Sequence, residues 1–450
     1  MDERAELRPP GAVLDIAGRL ERAGYETWCV GGAVRDALLG IPNLDWDLAT
    51  AATPAEMRRI FRRAAVPIGE EHGTMGILDD AGRMHEVTTF RRDVQTDGRH
   101  AVVAFGASLD EDLARRDFTI NAIAFSPDRR TLHDPFGGRE DLRRGVVRAV
   151  GNPAERMRED RLRALRALRF ATRFGFDIDP ATWQAIVESA PHLGRLSAER
   201  VQQELVKTME QVTRPAAAIR SWRESGALAT LAPPLVTLPT AHLAALDFVR
   251  RPDATGHPGR REARLLTRLA LLFVHLDARA AERALKALKF SNAQVRWIAA
   301  LADRWQRLGE EMTRVVSAPD QVPDVALRRW AAVAGRTRVA PMARLASAVW
   351  AGARATGGAG PAPERVRSIY RRLVRVAYRD PIEIGDLAVD GDDLRRAGIP
   401  AGPVLGKILH ALLERVIADP SLNTRDTLLA LAAEIYRELL RAGGTDQREQ

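Results

Sequence analysis

The sequence is poor in several things at once. It holds a single cysteine, Cys29, so no disulfide forms within the chain and a reducing compartment fits. Its longest apolar run, "LALLFV" at Leu269 to Val274, is far too short to span a bilayer. The opening stretch "MDERAELRPPG" is charged and lacks the apolar region of a secretory signal. No segment recurs at a fixed period. These absences argue against a disulfide scaffold, a membrane span and a repeat array. The expectation is a cytoplasmic protein with no membrane partner.

What is present is length, apolar content and positive charge. A chain of 450 residues with 46% hydrophobic residues can build two to four packed units. Lys and Arg number 68 against 59 Asp and Glu, a formal net charge of +9, with a pI near 10.4. Arginine greatly outnumbers lysine, which suits bidentate phosphate contacts. The balance favours a polyanionic partner such as nucleic acid. An Arg-rich solvated surface would give the same composition.

Along the chain, strands and helices alternate to about residue 150. "ETWCVGG" reads as a strand ending in glycines, "AVRDALLG" as a short helix stopped by Gly40, and "LDWDLAT" as an alternating strand. Thr53 and Pro54 open a helix as N-cap and first residue. "TMGIL" and "MHEVTTF" flank "DDAGR" as a hairpin. Beyond residue 150 the patterning is helical, with one long helix expected from Glu155 to Phe174 and a second from Ala198 to Val212. "ATGGAGPAPE", Ala355 to Glu364, reads as a linker. The fold expected is α+β: a mixed sheet with helices, then an all-helical remainder.

The most informative stretch is "CVGGAVRDALLGIPNLDWDLAT", Cys29 to Thr50. Asp45 and Asp47 stand at i and i+2, so on a strand both project from one face. Carboxylates that close repel unless a cation lies between them. Mg²⁺ takes a few carboxylates together with substrate phosphate oxygens, so the pair suits a metal bridging protein and triphosphate. Gly31 and Gly32, lacking Cβ, let phosphate approach backbone N–H groups ahead of a helix. Arg35 is placed to clamp the same phosphates, and Asp36 to hold Arg35. Each piece alone is commonplace; their order, strand–GG–helix–strand, points to function.

The segment "EDRLRALRALRFATRF" carries Arg163, Arg166, Arg169 and Arg173 within one helical arc of roughly 120°. Arginines stacked on one face repel and call for anions, which triphosphate and RNA backbone would supply. The bland alternative is a helix with ordinary salt bridges.

"GGAVRDALLG…DWD" resembles the signature of the class II nucleotidyltransferases, the bacterial CCA-adding tRNA nucleotidyltransferases and poly(A) polymerases. "EDLARRDFTINAIA", "REDRLRALRALRFATRFGF", "SAERVQQEL" and "DLAVDGDDLRRAGIPAGPVLGKIL" resemble further family segments in order, so the likeness covers nearly the whole chain and is strongest over residues 28 to 205. It implies a nucleotidyltransferase palm (1–150), a neck that recognises the base (151–215), a degenerate HD-like body (216–354) and a tRNA-binding tail (355–450), all helical after the palm. By the same resemblance, Asp45 and Asp47 bind two Mg²⁺ ions and catalyse. Glu86 is a candidate third carboxylate, with an ordinary exposed strand residue equally open. Gly31, Gly32 and Arg35 hold the triphosphate. Arg116 contacts the nucleotide, and Asp117 and Asn121 shape the ribose pocket. Asp160 and Arg163 read the base, with Arg166 and Arg169 nearby. A carboxylate only accepts hydrogen bonds and a guanidinium only donates, so such a pair suits the Watson–Crick edges of cytosine and adenine. The segment departs from relatives at Arg161, where Pro or Ala is usual; Arg161 is expected to face outward.

The resemblance implies addition of CCA to tRNA from CTP and ATP, with the acceptor stem and elbow gripped by helical domains and the oligomeric state left open. "RRDVQTDGRHAVVAF", Arg91 to Phe105, resembles the flexible loop needed for the final adenosine, with Asp97, Gly98 and Arg99 in it. A poly(A) polymerase is the alternative, and a D-x-D sugar-nucleotide glycosyltransferase a more distant one. "LALLFVHLDARAAERALKALKFSNAQVRWIAALADRW" resembles an HD hydrolase region without its His-Asp doublet. His275 and Asp277 are separated by Leu276, and His242 and His257 are isolated, so no hydrolase activity is expected.

Overall fold

A computed structural model describes residues 7–42, 45–96, 101–250 and 258–445. Two compact units divide the chain, Met1–Val236 and Thr237–Gln450.

The first unit is built on a seven-stranded sheet. Its strands are β1 (Thr27–Val30), β2 (Asp47–Thr50), β3 (Ala65–Gly69), β4 (Thr74–Leu78) and β5 (Met84–Thr89), with β8 (Ala124–Ser126) and β9 (Thr131–His133). The spatial order is β3-β4-β5-β2-β1-β8-β9. Only β2 and β5 run parallel; every other neighbouring pair is antiparallel. Helices α1 (Gly11–Arg22), α2 (Gly32–Leu38), α3 (Pro54–Phe61), α4 (Leu109–Ala114) and α5 (Gly138–Arg144) accompany it. Thr53 caps α3 as its sequence suggests: Glu56 N–H donates to Thr53 Oγ1 at 3.4 Å, and Thr53 N–H donates to Glu56 Oε2 at 2.7 Å. The hairpin around "DDAGR" forms, with Asp79 N–H donating to Arg83 O at 2.8 Å. Trp28, Val30, Ala49, Phe90, Leu113 and Val150 share one buried cluster. Cys29 lies in β1, fully buried, and burial followed by the nearby Asp47 charge pushes its thiol up to about 12.

The stretch read as a flexible loop forms strands instead. β6 (Arg91–Thr96) and β7 (Ala101–Phe105) pair antiparallel as a separate ribbon, as the β-branched run in "AVVAF" favours. Asp97, Gly98 and Arg99 lie outside the described residues.

The single long helix expected from Glu155 to Phe174 is two helices, α6 (Pro153–Glu159) and α7 (Leu162–Phe174). The break falls at Asp160, whose φ −145° and ψ 103° are extended. Its carboxylate accepts from Leu162 N–H at 3.0 Å, and that bond stabilises the turn that restarts the helix. Then follow α8 (Pro180–Ser189), α9 (Ala198–Gln211), α10 (Pro215–Glu224) and α11 (Ala227–Leu231).

The second unit is helical in its described residues. It comprises α12 (Thr240–Ala245), α13 (Pro258–Phe273), α14 (Ala278–Ala287), α15 (Asn292–Ser317), α16 (Asp324–Ala334), α17 (Val339–Ala355), α18 (Pro363–Arg379), α19 (Gly391–Arg396), α20 (Pro403–Ala418) and α21 (Arg425–Thr445). The expected linker falls between α17 and α18. Leu387, Leu394, Ile408, Leu412, Val416, Leu428 and Ile435 form a separate core within α19–α21 and its approach.

His242, expected to be isolated, is not: it lines one cavity of about 580 Å³ together with His275, Trp305, Gln306 and Glu310. Burial, then His275, pushes the His242 imidazole pKa down. Asp277 instead caps α14, accepting from Ala280 N–H at 2.8 Å. His257 lies outside the described residues. No described helix is long and apolar enough to cross a membrane.

Candidate active site

β1 ends at Val30, opposite Asp47 on β2, and β5 lies on the other side of β2. The pairing of Leu48 with Val87 puts Glu86 beside Asp47 in the parallel register. Asp45 and Trp46 precede β2; Asp45 is exposed, Trp46 buried and Asp47 half-buried, so the two aspartates share a face as an extended chain requires. Burial first, then Asp45 and Glu86, drive the Asp47 carboxyl up to about 6, with Arg116 opposing. Two further carboxylates, one just before β2 and one on the neighbouring β5, thus act on Asp47 through space.

Gly31 makes the turn out of β1 with φ +76°, a conformation that favours glycine. A Cβ there would lie 3.0 Å from Arg116 Nη1 and 4.0 Å from Asp47 Oδ2. The glycine therefore lets a guanidinium come close to the carboxylate. Arg116 is anchored by Asp112, which accepts from its Nη2 at 3.1 Å and from Arg115 at 2.8 Å. Burial disfavours the Asp112 charge, but Arg116 and Arg115 outweigh it and hold the carboxyl below its usual range. The buried Nε of Arg116 has no hydrogen-bond partner among the described residues.

Beside this lies a cavity of about 370 Å³. Gly31, Gly32, Arg35, Asp47, Arg116, Asp117, Asn121, Arg166 and Arg169 line it, so most of the residues singled out from the sequence converge. Arg173, the last arginine of the stripe, joins them, and Phe170, Lys207 and Gln211, which the sequence reading had not singled out, complete the wall. Lys207 and Gln211 stand at i and i+4 on α9, one face of a helix, a periodicity that was available.

The wall is a chain of hydrogen bonds. Arg166 donates to Asp117 Oδ2 at 2.9 Å, and Asn121 Nδ2 donates to Asp117 Oδ1 at 2.8 Å. Arg35 Nη1 donates to Asn121 Oδ1 at 2.5 Å, and its Nε and Nη2 donate to Asp36 Oδ1 at 2.8 and 2.6 Å. Arg173 reaches the other Asp36 oxygen at 3.3 Å. Burial works against the Asp117 charge, yet Arg166 and Asn121 keep its carboxyl below the normal range. Arg35 is 4% exposed and lies 5.0 and 4.8 Å from the Phe170 and Phe174 ring centroids. Asp36 does hold it, as expected, but in this arrangement its donors are taken up by Asp36 and Asn121 rather than held open for phosphate.

The arginine stripe on α7 has a protein carboxylate for each member. Arg163 pairs with Glu159 at 2.6 Å, Arg166 with Asp117 at 2.8 Å, Arg169 with Glu204, and Arg173 with Asp36 at 3.3 Å. The expectation that triphosphate and RNA backbone would supply the anions is corrected toward the salt-bridged alternative: the chain supplies its own, from α2, α6, α9 and the segment after α4.

Asp160 and Arg163 do not bond to one another through their side chains. Asp160 accepts from Arg200 Nη2 at 2.8 Å, while Arg163 donates to Glu159, to Arg156 O at 3.1 Å and to Arg115 O at 2.9 Å. Neither lines the 370 Å³ cavity, nor do Asp45 and Glu86. The helix break at Asp160 leaves its own carboxylate directed to Arg200 of α9. Arg161 is half-buried rather than outward and free, donating to Ser189 Oγ at 3.3 Å.

Among the described residues no group of three or more His, Cys, Asp or Glu is arranged to hold a metal ion. The open pair at Asp45 and Asp47, with Glu86 acting on Asp47, fits a cation that takes its remaining ligands from a substrate.

Residues 27–148 match the Poly A polymerase head domain, 175–237 an RNA and SrmB-binding site of polymerase A, and 264–432 the tRNA nucleotidyltransferase domain 2. A CCA-adding enzyme of Limosilactobacillus fermentum is 34% identical over 440 residues, covering 96% of this chain and 98% of that protein. The chain belongs to the CCA-adding enzyme and poly(A) polymerase family. Among solved structures, the Bacillus stearothermophilus CCA-adding enzyme in complex with CTP is 33% identical, with a TM-score of 0.73 over 96% of this chain and 98% of that one. A Thermotoga maritima CCA-adding enzyme complexed with tRNA-CCA shares the fold, at 20% identity and a TM-score of 0.64 over 94% of each chain. The mixed sheet followed by helices is the architecture of this family.

Proposed function

We propose that this nucleotidyltransferase completes the 3′ end of tRNA, adding C, C and A from CTP and ATP without a nucleic-acid template. The observation that carries the reading is Asp47, which feels two other carboxylates and lines an arginine-rich cavity of about 370 Å³. Similarity to CCA-adding enzymes over the whole length supports the same reaction. In that reaction the tRNA 3′-oxygen bonds to the α-phosphorus and the bond to pyrophosphate breaks, with no covalent enzyme intermediate.

Asp45 and Asp47 are the residues we assign to two Mg²⁺ ions, with Glu86 as a candidate third carboxylate; ions held there would lower the pKa of the 3′-hydroxyl and neutralise the triphosphate. Arg116, close to Asp47 and with an unpartnered Nε, holds the phosphates beside Gly31 and Gly32. Lys207 joins it as an exposed cation with no ion-pair partner among the described residues. Arg35 orients Asn121 and, through it, Asp117, whose remaining edge shapes the ribose pocket. Arg166 and Arg169 fix the opposite wall. Asp160 and Arg163 read the base by exchanging Arg200 and Glu159 for the edge of cytosine or adenine. α2 has two turns only, so its dipole is not needed in this account.

We divide the chain into palm (1–150), neck (151–215), body (216–354) and tail (355–450). The helical domains hold the tRNA acceptor stem and elbow by shape and phosphate contacts. A buried lone thiol suits the cytoplasm. A poly(A) polymerase is the second reading, favoured by the head-domain match. Full-length similarity to CCA-adding enzymes favours the CCA reaction.

The test uses tRNA transcripts ending before C, after C and after CC, each with one labelled nucleoside triphosphate and Mg²⁺, beside an unstructured RNA. Addition of C, C and A in order followed by arrest is expected, and Asp45→Ala abolishes it while tRNA binding persists. Long adenosine tails on either RNA make the protein a poly(A) polymerase instead.

A further inference from the structure

The helix α18 carries six arginines, and the structure divides them by role. Val366, Ile369, Leu373, Val376 and Ala377 form its buried stripe, against α15, α16 and α17. Arg365 and Arg372 tie the helix down. Arg365 donates to Val316 O at 2.7 Å and Pro319 O at 3.2 Å; Arg372 donates to Val322 O at 2.8 Å and Asp324 Oδ1 at 2.6 Å.

The other four, Arg367, Arg371, Arg375 and Arg379, are all exposed and stand at i, i+4, i+8 and i+12. None has a hydrogen bond or ion pair among the described residues. This contrasts with α7, where every arginine of the stripe has its carboxylate. On a helical wheel the four fall on one arc of about 120°, opposite the buried stripe. Tyr378 lies on the same arc, 61% exposed, and so does Ser368. Glu364 is the one carboxylate on that arc, at the N-terminal turn, and it forms no ion pair with Arg367.

Like charges four residues apart cost an isolated helix about 0.2–0.5 kcal/mol per pair. Three such contacts in succession, held on a rigid helix, make a row of cations about 6 Å apart and about 18 Å long. That spacing is of the order of the distance between successive phosphates on one nucleic-acid strand. The row drifts about 40° at each step, so it winds around the helix as a curved strand does. The guanidinium fork matches phosphate oxygens, and an exposed tyrosine at the end of the row offers a ring for sugar or base.

We propose that the outer face of α18 is a track for one strand of the tRNA backbone, with Arg367, Arg371, Arg375 and Arg379 each engaging a phosphate and Tyr378 at its end. The partner class is RNA, because the row is regular, arginine-rich and uninterrupted by carboxylates. The proposal rests on the tRNA-modifying reading above and adds to it a named surface outside the catalytic unit.

The test is tRNA binding by the full chain over a series of salt concentrations, comparing the native protein with R367Q/R371Q/R375Q/R379Q and with the corresponding four lysine substitutions. Loss of four phosphate contacts is expected to lower the slope of log Kd against log salt by about 3 and to raise Kd at 0.1 M salt roughly tenfold to a hundredfold. The lysine variant is expected to recover the slope, KM for CTP is expected to stay within twofold, and circular dichroism is expected to show the same helical content. If the native chain binds tRNA with a steep slope and the glutamine variant matches it in slope and Kd, the track is overturned and the functional reading stands. If the native chain neither binds tRNA nor extends it, both fall.

Discussion

At the scale of single residues, the chemistry rests on charges held where they are unfavourable. Asp47 is the clearest. Its folded-state pKa near 6 lies above the ordinary aspartate value, because burial and then Asp45 and Glu86 disfavour its ionised form. An acid raised in this way keeps its proton in the fold at a pH where the unfolded chain has released it. Its contribution to stability is therefore greatest below about pH 4 and is lost as pH rises toward 6. Asp47→Asn is expected to remove that loss, raising stability at pH 7 by about 1–2 kcal/mol while cutting nucleotide addition by about three orders of magnitude. Thermal melts at pH 4.5 and 7 check the first, and single-turnover addition the second. Lys207 makes a different case. It faces the cavity with no ion-pair partner among the described residues, so Lys207→Ala is expected to raise KM for CTP and ATP about tenfold with the fold intact. Steady-state kinetics at saturating tRNA measures it. Asp47, Gly31 and Arg116, which the structure brings to one cavity, were legible because they fall in short, ordered motifs. Lys207 was not, because a lysine on an amphipathic helix looks like any solvated side chain until the opposite wall is known.

At the scale of elements, α7 and α9 are joined by Arg169 and Glu204, which are 3% and 2% exposed. Burial lowers the Arg169 pKa and Glu204 opposes it. A buried pair of this kind adds little over an apolar one, but breaking it leaves a charge without compensation, at about 3–5 kcal/mol. Glu204→Ala is expected to lower the first thermal transition by several degrees and to disturb the cavity wall, whereas Arg166→Lys leaves that transition nearly unchanged; scanning calorimetry separates the two. The strands, the Thr53 capping box and the "DDAGR" hairpin were readable because each is set by neighbours in sequence. The interruption between α6 and α7 contains no Gly or Pro, and only the capping tendency of Asp160 hinted at it. The ribbon of β6 and β7 passed for a loop because a two-stranded element leaves no alternation against a core.

At the scale of the whole molecule, the excess of arginine predicted an anionic partner without saying where the charge lies. On α7 it is neutralised internally by Asp36, Asp117, Glu159 and Glu204, residues spread over 169 positions of sequence, a pairing that no local pattern encodes. The net charge of +9 still leads to one expectation for the intact chain. tRNA affinity should fall by about 10³ or more between 50 and 200 mM salt if six or more phosphates are engaged. Filter binding over that range checks it, and a flat response counts against an RNA substrate. The approach of His242 to His275 is legible only in three dimensions for the same reason: they come from α12 and the turn after α13.

Cys29 turns the first unit into its own reporter. It is the chain's single thiol, sealed in the middle of the sheet, and stays protonated far beyond neutral pH. A thiol-selective reagent added to the native protein therefore finds no thiol to modify until β1 is exposed. The rate of labelling counts openings of that sheet alone, blind to whatever the helices after residue 237 are doing.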